Sequence, residues 1–141
     1  MMAGIRSSNT SPEMKVRRLL HRHGFRYRLH RKDLPGRPDL VLSRYRVCIF
    51  VHGCFWHRHP GCRYATSPKT REEFWRLKFD QNVMRDTRNR NELLLKGWRV
   101  FELWECGIRG PEADMNWIFE AVLDCNQKFL SWPAFPVVAK I

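Results

Sequence analysis

The order of patterned segments predicts an α/β fold, a mixed β-sheet flanked by helices. Three observations carry this. Residues 25–30 (FRYRLH) alternate strictly between apolar and polar, residues 47–51 (VCIFV) form an unbroken apolar run, and a long helical stretch separates that run from a further strand at 98–104 (WRVFELW). Alternation at period two marks a half-buried strand, and a continuous apolar run marks one covered on both faces. A helix lying between two parallel strands is their crossover.

The elements follow in order. Residues 1–10 are polar and basic and are expected as a flexible N-terminal arm, with 11–141 as a single domain. Thr10 and Glu13 fit a capping box and Pro12 suits a first helical turn, so a helix starts there. Val16, Leu19, Leu20 and His23 share its face, and Gly24 is its stop. In the strand at 25–30, Phe25, Tyr27 and Leu29 are expected inward and Arg26, Arg28 and His30 outward. The turn-rich segment 34–39 (LPGRPD) delivers Asp39 to a second strand, 39–42, and a short basic turn leads to the third, 45–51, as a hairpin. Thr70 and Glu73 repeat the capping-box pattern and open the long helix, which runs to Lys96-Gly97. The fourth strand is 98–104, and Cys106 sits just past its end. From Pro111 to about Leu130 the pattern predicts a last amphipathic helix holding Cys125 in its core face, followed by an extended tail, 131–141.

At 141 residues the chain can bury a core without disulfides. The 26 Lys+Arg against 14 Asp+Glu give a net charge of +12, so the natural partner is a polyanion. With no membrane-length apolar stretch and no basic amphipathic anchor, nucleic acid is favoured over membrane. The N-terminus has no apolar h-region and is read as not exported. Five Cys in a reducing compartment point to metal and buried thiols.

The densest stretch is 47–62 (VCIFVHGCFWHRHPGC). Cys54, His59 and Cys62, completed by Cys106, make a set of three thiolates and one imidazole, which suits tetrahedral zinc with no open position and hence a structural role. The plain alternative is buried thiols beside a surface histidine. Cys48 is read as core. Asp39, fixed by a stiff turn at the head of a strand, offers hard oxygen for Mg²⁺; its plain reading is a turn residue. His57 lies inside the cluster but is not needed for zinc, so it is available as a general base, with Asp86 on the long helix as an orienting partner; an ion pair with its arginine neighbours is the plain reading of Asp86. Phe55, Trp56 and Trp75 are candidates for insertion between base steps, with Arg58, Arg63, Arg71 and Arg76 meeting phosphates; core packing and a solvated face are the plain readings.

At these residues the sequence resembles the very short patch repair endonucleases, bacterial enzymes that nick DNA beside T:G mismatches. The likeness rests on SPE (11–13), LPGRPD (34–39), VCIFVHGCFWH (47–57), EFW (73–75), NVMRD (82–86), GWRV (97–100) and WEC (104–106), and fades beyond Arg109. It implies a restriction-endonuclease-like core and Mg²⁺-dependent hydrolysis of one DNA strand 5′ to the T. It implies Mg²⁺ on Asp39 and the Val51 backbone carbonyl, His57 as base supported by Asp86, and His52 and Glu13 near the site. It further implies zinc on Cys54, His59, Cys62 and Cys106, and a wedge of Phe55, Trp56 and Trp75. The expected protein is a cytoplasmic, nucleoid-associated bacterial monomer acting on double-stranded DNA, with downstream repair proteins as possible partners. Two other readings stay open: a related nicking or restriction-type endonuclease without T:G specificity, and a non-catalytic zinc-stabilised DNA-binding module.

Overall fold

The computed structural model describes residues 9–134. The expected arm, up to residue 8, and the tail from residue 135 lie outside the described residues. One mixed sheet organises the rest: β1 (Arg28–Leu29), β2 (Leu40–Leu42), β3 (Val47–His52), β4 (Arg99–Trp104) and β5 (Phe129–Trp132), in the order β1-β2-β3-β4-β5. The pairs β1-β2 and β2-β3 are antiparallel, and β3-β4 and β4-β5 are parallel. The mixed α/β sheet is therefore borne out, with helix α2 (Glu72–Leu95) as the unbroken crossover from β3 to β4.

Alternation of side chains gives the sheet two apolar faces. Leu40, Leu42, Val47, Ile49, Phe101 and Leu103 pack against Val16, Leu19 and Leu20 of α1 (Ser11–Arg22), Ile108 of α3 (Glu105–Ile108) and Ile118 and Val122 of α4 (Trp117–Leu123). Val41, Cys48, Phe50 and Val100 pack on the other face, beneath Leu93 of α2. Cys48 is buried there as expected.

The start of α1 follows the sequence closely, since the Thr10 hydroxyl accepts from the Glu13 N–H at 3.3 Å. The Glu13 carboxylate, however, accepts from the Asn9 N–H at 3.0 Å, one residue earlier than a full capping box requires. Gly24, at φ +89°, ends the helix in the left-handed region. The second capping box does not form: α2 begins after Arg71, itself at φ +53°, without a side-chain cap.

Three further expectations are corrected. Only Arg28–Leu29 of the alternating segment pairs as a strand, Leu29 is exposed, and His30 turns inward at φ +46°. The last helix is broken: a 3-10 turn at Glu112–Met115 precedes the short α4, and the segment expected to finish that helix instead adds β5 beside β4. The cause is Arg99 on β4, whose guanidinium donates to the carbonyls of Ala121, Val122 and Asp124 at 2.7–2.9 Å and so terminates α4. Cys125 consequently lies in an exposed turn rather than in a helix core. Among the described residues no helix is long and apolar enough to cross a membrane.

Candidate active site and thiol cluster

Strand β3 ends at His52, and the chain then turns back toward α2 through the loop that holds Cys54 to Cys62. Because β4 runs parallel with His52 opposite Trp104, Cys106 on α3 comes up beside this loop. One ligand atom from each of Cys54, His59, Cys62 and Cys106 lies within 4.8 Å of the others, so the set could hold a metal ion. His59 Nδ1 is 3.7 Å from Cys54 Sγ and 3.5 Å from Cys106 Sγ. A tetrahedral zinc with ordinary bond lengths separates sulfur from nitrogen by about 3.6 Å, so the spacing fits that ion. His59 Nε2 donates to the Pro133 carbonyl at 2.6 Å and its ring stacks on Trp104 at 4.2 Å, which leaves Nδ1 facing the sulfurs. Burial pushes the Cys54 thiol well up and raises the Cys106 thiol too, a penalty on the thiolates that a cation would relieve.

On the other side of His52 lies a cleft of about 960 Å³, lined by Glu13, His30, Asp39, Val51, His52, His57 and Asp86 and rimmed by Arg37, Lys78 and Arg85. Asp39 stands immediately before β2, and its Oδ2 accepts from the Val51 N–H at 2.7 Å. A strand residue points its N–H and C=O to the same side, so the Val51 carbonyl faces Asp39 as well. Burial raises the Asp39 carboxyl to about 7, against the pull of the Val51 N–H, with Glu13 nearby adding to the rise. A half-buried hard oxygen that resists ionisation without a counter-charge fits a divalent cation.

Glu13 reaches the cleft from α1 and is 1% exposed. Asn9 N–H, Arg17 and His30 Nε2 all donate to its carboxylate, the last at 2.7 Å. His30 Nε2 also stands 3.9 Å from Asp39 Oδ1. Glu13, His30 and Asp39 make a second group able to hold a metal. His57 faces them from the loop, and its Nδ1 is 2.6 Å from Asp86 Oδ2 on α2. Holding Nδ1 this way fixes the ring and leaves Nε2 to exchange a proton. The His52 ring stacks on His57 at 4.1 Å and is kept neutral by burial. Behind it Glu102, raised by burial, pairs with Arg90 at 3.2 Å.

Every residue singled out as a metal ligand or as an acid or base thus falls in one of two adjoining groups. His30, Glu102 and Arg90 were missed. A polar residue interrupting the apolar strand 98–104 was a signal for Glu102; His30 gave none, because its backbone departs from the strand it was assigned to.

Beside the cleft, Phe55 lies 4.9 Å from Trp56 and 5.9 Å from Trp75, and Trp56 lies 5.8 Å from Trp75, forming a half-buried aromatic cluster. Asn82 ties it to α2 by donating to the Trp56 carbonyl at 3.1 Å. Arg58 does not point to solvent as expected, since its guanidinium is bonded within the loop.

The family described as DNA mismatch endonuclease Vsr matches residues 1–63. The chain is 52% identical over 108 residues to a type II nicking enzyme, V.XorIIP, of Xanthomonas oryzae pv. oryzae, covering 77% of this chain and 79% of that protein. It is 45% identical over 111 residues to the DNA mismatch endonuclease Vsr of Escherichia coli K12, covering 79% and 70%. The fold is similar to the catalytic domain of homing endonuclease I-Bth0305I, with a TM-score of 0.51 at 20% identity over 83% of this chain and 94% of that one. By its identity to these relatives over most of their length, the chain belongs to the Vsr family of DNA endonucleases.

Proposed function

We propose that the protein nicks one strand of double-stranded DNA 5′ to the T of a T:G mismatch, in a Mg²⁺-dependent reaction. The observation that carries this is the His57–Asp86 pair, 2.6 Å apart, in the same cleft as a half-buried Asp39 carboxylate. Asp39 and the Val51 carbonyl would hold Mg²⁺, which when bound supplies positive charge to the scissile phosphate. Asp86 orients His57, and His57 takes the proton of the attacking water. As the water oxygen bonds to phosphorus, the bond to the 3′-oxygen breaks and that oxygen takes a proton from solvent. Neutral His52, packed on His57, keeps the base in place and dry on that face, while Glu13 holds His30 against Asp39. Phe55, Trp56 and Trp75 would wedge into the helix at the mismatch, where opening the duplex costs least. Cys54, His59, Cys62 and Cys106 would hold structural zinc, fixing the loop that carries His57. One strand is cut, so a monomer in the bacterial cytoplasm, at the nucleoid, suffices, with repair proteins acting on the nick.

The name type II nicking enzyme borne by the Xanthomonas relative favours one second reading, nicking without T:G specificity. A labelled duplex with one T:G pair and its matched twin, each with Mg²⁺ or no added divalent ion, separates the two. A Mg²⁺-dependent nick 5′ to the T, absent from the twin, is expected. Equal cutting of both duplexes would sink the mismatch reading, and binding without cutting would sink the enzyme reading.

A further inference from the structure

We propose that Arg58 is a positioning residue that holds the aromatic wedge in its working shape, and so sets mismatch discrimination, instead of contacting a DNA phosphate. The inference rests on the wedge reading above and deepens it. Arg58 Nη1 donates to the Phe55 carbonyl at 3.1 Å and the Thr66 carbonyl at 2.8 Å. Nη2 donates to the Ala65 carbonyl at 3.0 Å and the Ser67 hydroxyl at 3.3 Å. One guanidinium thus ties the wedge residue Phe55 to the far end of its loop, using most of the donors it has. Its face is taken too, lying 3.9 Å from the Phe79 ring and 5.7 Å from the Phe55 ring. A phosphate would have to break this arrangement to be met.

Phe79 completes the device. It is 7% exposed on α2, meets Phe55 edge-on at 5.1 Å and stacks on Trp75 at 5.6 Å. Arg58 and Phe79 therefore form the base on which loop-borne Phe55 and helix-borne Trp75 are set at a fixed spacing. Arg58 itself sits at φ +56°, a left-handed backbone that is unfavourable for a side-chain-bearing residue and persists because its bonds over-determine it. A wedge ordered before DNA arrives does not lose rotamer freedom on insertion. Arg71 and Arg76, exposed at the start of α2, remain the cations for phosphate.

The test uses Arg58→Met, which removes charge and fork but keeps the stem, and Phe79→Leu, which keeps the loop hydrogen bonds but removes the ring face. Zinc-loaded protein is titrated, without Mg²⁺, onto a duplex carrying 2-aminopurine beside a T:G pair and onto its matched twin, across a range of salt. Positioning predicts that both variants lose the fluorescence rise from base unstacking and bind the T:G duplex about tenfold or more weakly. Their affinity for the twin and their salt dependence stay as in the wild type. A salt slope shallower by about 1 in Arg58→Met, with equal weakening on both duplexes, would make Arg58 a phosphate contact and overturn the proposal. If Arg58→Met fails to fold, Phe79→Leu decides, and an unchanged unstacking signal there overturns it equally. Absence of unstacking by the wild type would instead remove the wedge reading itself.

Discussion

The thiol cluster and the carboxylate cleft lie on either side of His52, share one loop, and are built from opposite chemistry. Three sulfurs and an imidazole converge on one side, enclosed by Trp104 and closed from outside by the Pro133 carbonyl. Oxygens from Asp39 and Val51 face a cleft with a cationic rim on the other. The first has no room for substrate and the second is open to it. The loop with one foot in each, bearing His57 between them, makes the closed centre the reference frame for the open one.

The largest effect is expected from Cys106→Ala. With zinc held on the four residues as proposed, removing one of them is expected to release it, and with it the binding free energy that orders the loop, on the order of 10 kcal/mol in structural zinc sites. Metal content per chain and circular dichroism report it, and nicking should vanish because His57 is displaced. Retention of one zinc and of nicking would show that Cys106 is no ligand. Asp39→Ala should do the reverse, keeping zinc and DNA binding while cutting the nicking rate on the order of 10³-fold or more, since a metal ligand at the phosphate is worth several kcal/mol in the transition state. A single-turnover assay beside a filter-binding titration separates the two, and undiminished nicking would remove Asp39 from the chemistry.

The two centres were not equally legible. The thiol cluster could be read from ligand type and spacing because three of its four members are local, and Asp39 from a stiff turn feeding a strand. What escaped was decided by residues distant in sequence. His30 enters the cleft because its backbone turns at φ +46° and Glu13, on another element, receives its Nε2; an alternating pattern sends it outward. The stretch after Leu123 reads as helix until Arg99, on β4, takes the α4 carbonyls and frees 129–132 to pair as β5. Arg58 reads as a surface cation because its partners, the loop carbonyls and Phe79, share no period with it.

The carboxylate side should also betray itself through pH. In the Mg²⁺-free fold Asp39 titrates near 7, raised by burial, against an ordinary value near 3.9 in the unfolded chain. Between about pH 4 and 7 the folded state holds a proton that the unfolded state has lost. Stability from this group is therefore full below pH 4 and lost as pH rises through 7. Three pH units correspond to about 4 kcal/mol at most. Asp39→Asn lacks this dependence, so urea unfolding of zinc-loaded protein at pH 5.5 and 8 should show the variant gaining on the wild type at the higher pH. Mg²⁺ should restore the wild type alone. Parallel profiles for the two proteins would mean that Asp39 is not held in a desolvated site.

The finest probe touches the thiol side without removing a ligand. A Cβ on Gly107 would lie 2.6 Å from Pro133 Cδ and 2.8 Å from the Trp132 ring, closer than packed atoms come. Pro133 Cδ belongs to a ring fused to the backbone and cannot swing aside, so Gly107→Ala must separate α3 from the end of β5. The Pro133 carbonyl that holds His59 Nε2 moves with it. Loss of such an outer partner typically costs 10–100-fold in metal affinity, measurable by competition with a chromogenic zinc chelator. Asp39 and Val51 lie across His52 and share no partner with this contact, so with zinc in excess the nicking rate should stay close to wild type. A fall in rate with zinc bound would mean that the thiol cluster tunes the cleft beyond holding the loop, and that the two centres act as one.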